Sequence, residues 1–559
     1  MSQQTRRFSI VAVVFLAAGS LIGGLLSDGV QADPQRVEDQ FWTFGEVLAL
    51  IEEEYVGETD SKELVEDAIV GMLRTLDPHS NYLNEETFGE MRDEQRGKFH
   101  GLGIQITKRG SDKPLTIIAP IEETPAWRAG LRSGDIISQI EGEPTIDLTV
   151  TQAVRLLKGD KGTEVTITID RPGMDESFDV TIERDEIPID SIRLAYMINS
   201  DVGLIRISNF TSTTADELDA AAERLLAQGM KNLILDLRGN PGGLLEQAVR
   251  VTERFIDEDK LVVYTRGRIS GSDQDYVSKR GVSRIEIPLI VLVDRSSASA
   301  SEIVSGAVQD HDRGLVVGEN TFGKGLVQRV IPLRGGGAVA VTTAKYYTPS
   351  GRLIQRDYTD LEEYYLNRAA DQEKAAGNGD LIDPSGKPTM VPDELAEDDR
   401  EIFYTASGRK VYGGGGIRPD YMVKAKTMPK VLLQLDRENL LFDYAVLYNN
   451  SHPDLEKGFA VDQKATDGFL AFVKERGFAG SAEEMLEHND VIALRLHAQI
   501  ARVKWDAVEQ FRILHRADPQ IQRALKLFGE AAKLARLNEY ADPQADADAL
   551  HARLFDRVN

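Results

Sequence analysis

Cysteine is absent from this 559-residue chain. That excludes disulfides, a cysteine nucleophile and thiolate metal sites. In an exported protein the same absence avoids oxidative mispairing. Basic residues fall short of acidic ones, 65 against 91, which gives a net charge of −26. Nucleic acid is therefore not an expected partner, because phosphate binding wants a basic surface. No His-Glu-x-x-His spacing occurs, which argues against a metallohydrolase of that type. The glycine-rich run Arg238-Gly-Asn-Pro-Gly-Gly243 is not closed by Gly-Lys-Ser/Thr, so the phosphate-loop pattern is missing. No fixed-period repeat is found. What remains is ordinary for globular protein, 42% hydrophobic and 28% charged. The length suits three or four domains.

The N-terminus reads as an export signal. Arg6 and Arg7 precede an apolar stretch from Phe8 to about Leu26, and Val30-Gln-Ala32 offers small residues for cleavage before Asp33. The stretch is also long enough to remain as an uncleaved anchor. The two arginines would hold its start in the cytoplasm and send the rest out. Residues 33–97 read as helices. Phe44, Val47, Leu48 and Ile51 follow helical spacing, as do Leu64, Ala68, Ile69 and Met72. Leu76-Asp-Pro-His-Ser80 ends the second helix at its proline. His79 reads as a surface turn residue.

Beyond residue 190, apolar strands alternate with helices. Val202–Ile207 and Leu233–Leu237 read as strands, with a helix from Thr214 to Gln228 between them. Such alternation implies an α/β core with a site at the strand ends. The run Pro288–Val293 is a third buried strand. Four serines follow it: Ser296, Ser297, Ser299 and Ser301. Ser299-Ala-Ser-Glu302 has the spacing of a capping box, so Ser299 belongs at a helix N-terminus. Most serines in that setting are only caps. However, unsatisfied N–H groups and the helix dipole also favour an oxyanion there. Further on, Lys324 lies between Gly323 and Gly325, beside Phe322, Leu326 and Val327. Desolvation disfavours the charged lysine, and lowering it from about 10.4 to about 7 costs roughly 4–5 kcal/mol. A neutral lysine can act as general base toward a serine.

Together, Ser-Ala-Ser-Ala-Ser-Glu-Ile (297–303) and Val-Gly-Glu-x-Thr-Phe-Gly-Lys-Gly-x-Val-Gln (317–328) resemble the carboxy-terminal processing peptidases, or tail-specific serine proteases. The resemblance implies Ser299 as nucleophile, Lys324 as base and Gln328 as supporting residue. It is the resemblance that selects Ser299 among its neighbours. It also implies an oxyanion hole from the N–H groups of Gly239 and Ala300. A straight strand over 324–328 would put Lys324 and Gln328 about 13 Å apart. A helical turn would bring them to about 5–6 Å. Both remain open at this point. A histidine triad is the competing mechanism. His311 is its nearest candidate, but Gln309-Asp-His-Asp-Arg313 reads as a solvated helix end.

The resemblance extends further. Glu53–Val56 and Leu76–Ser80 resemble the family's lead-in region. Residues 98–183 resemble a PDZ domain of the bacterial protease type. Phe99-His-Gly-Leu-Gly-Ile104 is similar to the carboxylate-binding loop, Pro125–Ile137 to the middle of the domain, and Thr151–Leu157 to the helix beside the groove. Thr163–Arg171 is the expected closing strand. Gly101, Leu102, Gly103, Ile104, Val154 and Leu157 are the expected peptide-binding residues, used by strand addition. Tyr346–Arg352 and Gly416–Asp420 match the family again, with an acidic insertion at about 357–411 between them that reads as passive. The C-terminal part is helical and polar, with amphipathic runs at Val491–Val503 and Ile521–Leu537.

The implied architecture is multidomain α/β. It comprises a signal peptide or membrane anchor (1–32), an N-terminal helical segment (33–97), a PDZ domain (98–183), a protease core (184–425) and a C-terminal helical region (426–559). The core is expected to have crotonase-like or ClpP-like strand–helix layering. The implied activity is an exported, ATP-independent serine endopeptidase without cofactor or metal, periplasmic or anchored to the outer face of the inner membrane. Its expected partners are proteins with exposed C-terminal tails, an adaptor protein and further copies of itself. The alternative is a membrane-tethered PDZ scaffold, inert or adaptor-gated. Intact Ser299, Lys324 and Gln328 argue against the inert form.

Overall fold

The computed structural model describes residues 34–108, 113–359, 364 and 400–536. The proposed export segment and most of the insertion lie outside them. The chain divides into two compact units.

Of the described residues, the smaller unit comprises those up to Phe88, Tyr264–Asp275 and Leu326–Tyr347. Asp60 starts the helix Ser61–Arg74 by accepting from the N–H groups of Lys62 and Glu63. The preceding helix, Pro34–Glu54, keeps much of its apolar stripe in solvent: Phe44 and Val47 are exposed, Leu48 and Ile51 half-buried. The strand Ala338–Tyr347 is the middle of a sheet. Leu326–Pro332 runs antiparallel on one side, and Asn81–Leu83 and Tyr264–Gly267 on the other. The short strand Asn81–Leu83 has no periodicity to announce it. It exists because its neighbour offers a free edge.

The larger unit holds the remaining described residues. In segment 98–183 an antiparallel sheet runs Ile104–Thr107, Leu115–Pro120, Ile136–Ile140, Glu164–Asp170, Phe178–Glu183. The alternation read in the sequence is real: Val165, Ile167 and Ile169 are fully buried. The expected closing strand nevertheless has a further neighbour, Phe178–Glu183, and is not the edge. Ile104–Thr107 is an edge. The helix Val150–Leu157, which packs on strand Ile136–Ile140, begins with a capping box between Thr149 and Gln152.

The core sheet runs Leu194–Met197, Val202–Arg206, Asn232–Asp236, Leu289–Val293, Leu315–Gly318, Tyr421–Met422. Only the first pair is antiparallel. Strands buried on both faces read as continuous apolar runs, as Leu289–Val293 does. Helices Thr214–Ala227, Leu245–Thr252 and Ala300–Asp310 connect the strands. The C-terminal region packs on this core. The amphipathic run at 521–537 is two short helices, Pro519–Ala524 and Phe528–Leu534. Ile521, Ala524, Phe528 and Ala531 form one cluster with Ile234, Ile290, Leu292 and Val317 of the sheet. The break lets both pieces follow the sheet surface.

His515, at the end of helix Ala507–His515, is buried, bonds the Tyr196 hydroxyl through Nδ1 and leaves Nε2 without a partner. Burial presses its pKa down to about 4. The unfolded chain, near the usual value of about 6.5, takes the proton first, so stability present above pH ~6.5 is lost progressively down to pH 4. At about 1.36 kcal/mol per unit this is on the order of 3 kcal/mol. Thermal unfolding of His515→Gln between pH 7 and pH 4.5 should be less acid-sensitive than that of the wild type. An unchanged pH slope would show that His515 does not set it.

Candidate active site

The turn from strand Leu289–Val293 into helix Ala300–Asp310 is tied down by Asp294. Its carboxylate accepts from the N–H groups of Ser296 and Ser297, at 3.0 and 3.1 Å. Two of the four serines are spent on the backbone. The Ser297 hydroxyl donates to Leu237 O at 2.9 Å and the Ser301 hydroxyl to Asn240 O at 3.0 Å, and both residues are fully buried. Ser299 is half-buried and takes φ 53°, ψ −110°, a left-handed conformation unusual outside glycine. Such strain costs of order 1–3 kcal/mol and persists where surrounding structure enforces it, commonly at functional turns. Gly242 is part of the enforcement: a Cβ there would lie 2.8 Å from Ser299 Cβ and 3.0 Å from Ala300 N.

The stronger constraint is Glu302. It is completely buried and accepts four bonds. Ser299 N–H and Lys324 N–H reach Oε2 at 2.8 and 2.9 Å. Gly323 N–H and the Thr321 hydroxyl reach Oε1 at 2.7 and 2.6 Å. One carboxylate oxygen thus holds the main chain of both the predicted nucleophile and the predicted base. Burial raises the Glu302 pKa, and the four donors oppose that rise. Every partner is a donor, which suits the ionised, acceptor-only form. The capping-box spacing pointed to Glu302 as the partner of Ser299. Nothing local to it announced Thr321, Gly323 and Lys324.

The other predicted residues are placed as follows. Gly239 follows strand Asn232–Asp236, which pairs in parallel with Leu289–Val293. Its N–H is engaged by both Asp294 oxygens, at 3.0 and 3.1 Å. Arg238, just before it, forms a two-pronged pair with buried Asp236 and bonds Asp518 and Gln520 of the C-terminal region, each at 2.7 Å. Burial alone would raise the Asp236 carboxyl; the guanidinium overrides it and holds it at about 2. Lys324 is half-buried and precedes the strand Leu326–Pro332, so a straight strand over 324–328 does not form. Gln328 lies in the smaller unit, just past a register shift between Val327 and Gln328. Leu102 and Leu157 belong to the core of segment 98–183, whereas Ile104 and Val154 are half-buried. Gly101 ends the strand Lys98–Gly101, and Gly103 has φ 78°.

The expectation of a solvated end at Gln309–Arg313 is overturned. Gln309, Asp310 and Asp312 are buried. Asp310 pairs with fully buried Arg352 at 2.6 Å, Asp312 with Arg409 at 2.7 Å, and Arg313 bonds the carbonyls of Phe255, Ile285 and Ile287. The polar residues find their partners in Arg352, Arg409 and backbone carbonyls of the interior. His311 Nε2 meets Leu261 O at 2.6 Å. The 11-residue helix, roughly 16 Å long, separates it from Ser299, so it cannot complete a triad. Nor is the insertion wholly passive in its described parts. Tyr364 packs edge-on against Phe322 at 6.3 Å, and Arg409, beside the hairpin strand Lys410–Tyr412, carries the Asp312 pair.

Three family models match the chain: peptidase family S41 over residues 201–361, a PDZ domain over 116–171, and the activating protease CtpB N-terminal domain over 26–87. Over 351 residues it is 40% identical to the carboxy-terminal-processing protease of Bartonella bacilliformis, covering 61% of this chain and 80% of that protein. Over 390 residues it is 33% identical to the carboxy-terminal processing protease CtpA of Bacillus subtilis, covering 68% and 82%. Among solved structures, the photosystem II D1 C-terminal processing protease is 31% identical, covers 56% of this chain and 88% of its own, and superposes with a TM-score of 0.32.

Removing the charge of Glu302 should loosen both main-chain segments it holds. In Glu302→Gln the new amide N–H group opposes donors, and charged hydrogen bonds of about 1.5–3 kcal/mol each are lost. Hydrogen exchange by mass spectrometry should quicken at least about tenfold in peptides spanning 297–303 and 320–326. Unchanged protection in both would contradict the clamp.

Proposed function

The chain belongs to the carboxy-terminal processing proteases of peptidase family S41, serine-type peptidases with a PDZ domain, and on that premise we propose how its own residues carry the reaction. Ser299 is the nucleophile and Lys324 the general base. The neutral amine of Lys324 takes the hydroxyl proton as Ser299 Oγ attacks the scissile carbonyl. The N–H groups of Ala300 and Gly239 receive the oxyanion. The lysine ammonium then protonates the leaving amine, and a water deprotonated by Lys324 hydrolyses the acyl-enzyme. The single observation that carries this reading is Glu302 Oε2, which accepts from the amides of both Ser299 and Lys324. The strained φ of Ser299 and the burial of Ser297 and Ser301 add support.

We further propose that the PDZ domain receives the substrate's C-terminal tail as an added strand along Ile104–Thr107, an edge of its sheet, with Ile104 and Val154 toward the ligand. Export rests on Arg6, Arg7 and the apolar run after them. No helix among the described residues is long and apolar enough to cross a membrane. A gated resting state is the second reading, and one bond favours it. The Gly239 N–H is held by Asp294, so Gly239 can receive an oxyanion only after that bond is released.

The test uses the fragment from Asp33 with an unstructured protein ending in an apolar tail, and the same protein with a charged, amidated tail. Ser299→Ala and Lys324→Ala should each lose at least about 10³-fold in kcat, as removal of a nucleophile or its base does. The altered tail should slow cleavage by the wild type. Equal cleavage by wild type and Ser299→Ala would sink the assignment.

A further inference from the structure

The strand Ile104–Thr107 has two faces, and only one of them looks into the core of segment 98–183. Ile104 and Ile106 pack against that core, so Gln105 and Thr107 lie on the opposite face. Thr107 stands opposite Thr116, and Thr116 opposite Ile136, which carries this outer face across three strands. It is not a solvated face. Thr116 is buried, although its neighbours Leu115 and Ile117 fill the core on the other side. The cover comes from the C-terminal region. Thr116, Gly134 and Ile136 line one wall of a cleft whose other wall includes Arg437 and Val446. A Cβ on Gly134 would lie 3.0 Å from Val446 Cγ1. Both walls belong to the larger unit.

Arg502, in the last turn of the helix Asn489–Lys504, reaches the outer face at the edge strand itself. Its Nη2 donates to Gln105 Oε1 at 3.3 Å, which is its one side-chain hydrogen bond among the described residues. No carboxylate among them pairs with it, and burial, unopposed, presses its pKa down. An arginine does not shed its proton to escape that cost. A half-buried guanidinium without a counter-ion is therefore left against the edge of the sheet, held by a neutral amide.

A tail added along this strand brings the missing charge to that point. With its terminal carboxylate at the glycine turn before Ile104, the tail runs antiparallel to the strand. Its last residue then stands opposite Ile104 and its penultimate residue opposite Gln105. Side chains directly opposite share a face, with Cβ atoms about 4.5–5.5 Å apart. A penultimate Asp or Glu therefore projects beside the Gln105 side chain, within reach of Arg502, and offers two charged oxygens in place of one amide oxygen. We infer that Arg502 is a specificity-determining residue of the tail site, reading an acidic side chain at the penultimate position of the substrate. The C-terminal region then supplies one wall of that site. This rests on the proposal that the tail adds along Ile104–Thr107.

The test measures dissociation constants by fluorescence anisotropy on the chain from Asp33 carrying Ser299→Ala, so that the tail is not cut. The probes are short labelled peptides with an apolar C-terminal residue and Glu, Gln or Lys before it, together with an amidated copy of the Glu peptide. The Glu peptide should bind about tenfold tighter than the Gln peptide, the low end of what a hydrogen bond to a charged group contributes. The Lys peptide should bind more weakly than either. Glu moved one place upstream, onto the other face, should gain nothing. With Arg502→Gln added, the Glu and Gln peptides should bind alike, and the affinity of the Gln peptide should be unchanged. Arg502→Lys, which keeps the charge, should keep the order, and Arg502→Glu should invert it in favour of Lys. Indifference to the penultimate charge with Arg502 in place, or a Glu preference that survives Arg502→Gln, would overturn the role of Arg502 alone. Failure of every free-carboxylate peptide to bind, or equal binding of the amidated copy, would sink the tail site on Ile104–Thr107, and this inference with it.

Discussion

A single buried carboxylate holds the catalytic half of this chain together. Glu302 is sealed from solvent, and its charge is tolerated because four donors converge on it. Losing water without such partners would cost an ion several kcal/mol. The arrangement is therefore close to all-or-none. Either Ser299, Thr321, Gly323 and Lys324 are in place, or Glu302 is an unpaired buried charge. This is how a protein holds two residues 25 positions apart in register through their main-chain N–H groups. Stability of the fold and geometry of the site become the same quantity.

The same logic recurs around the helix that starts after Ser299. Its C-terminal end is anchored by Asp310 on Arg352 and Asp312 on Arg409, and its N-terminal turn by Asp294. Arg238 ties the turn carrying Gly239 to Asp236 on one side and to Asp518 of the C-terminal region on the other. The C-terminal helices are thus part of what fixes the site, besides covering the sheet with Ile521, Ala524 and Phe528. An enzyme with a strained Ser299 needs such support, because a turn free to relax would do so.

Much of this was legible in the sequence, for identifiable reasons. Period-2 alternation placed Val165, Ile167 and Ile169, and an unbroken apolar run placed Leu289–Val293, because burial on one face or two leaves different patterns. Ser-x-x-Glu placed the start of the helix Ala300–Asp310. What stayed hidden was the non-local part. The bonds of Glu302 to Thr321 and Lys324 join segments that no local pattern connects. Gln309–Arg313 looked solvated because its charges are dense, but their partners, Arg352 and Arg409, lie some 40 and 100 positions on. The stripe on Pro34–Glu54 is periodic, yet periodicity says nothing about whether a surface is covered.

The most direct measurement is covalent trapping. The fragment from Asp33 would be treated with a serine-reactive fluorophosphonate and the adduct located by peptide mass spectrometry, in wild type and in Lys324→Ala. The account predicts one adduct, on Ser299, lost when Lys324 is removed. An adduct on Ser296, Ser297 or Ser301, or labelling of Ser299 that is indifferent to Lys324, would contradict it.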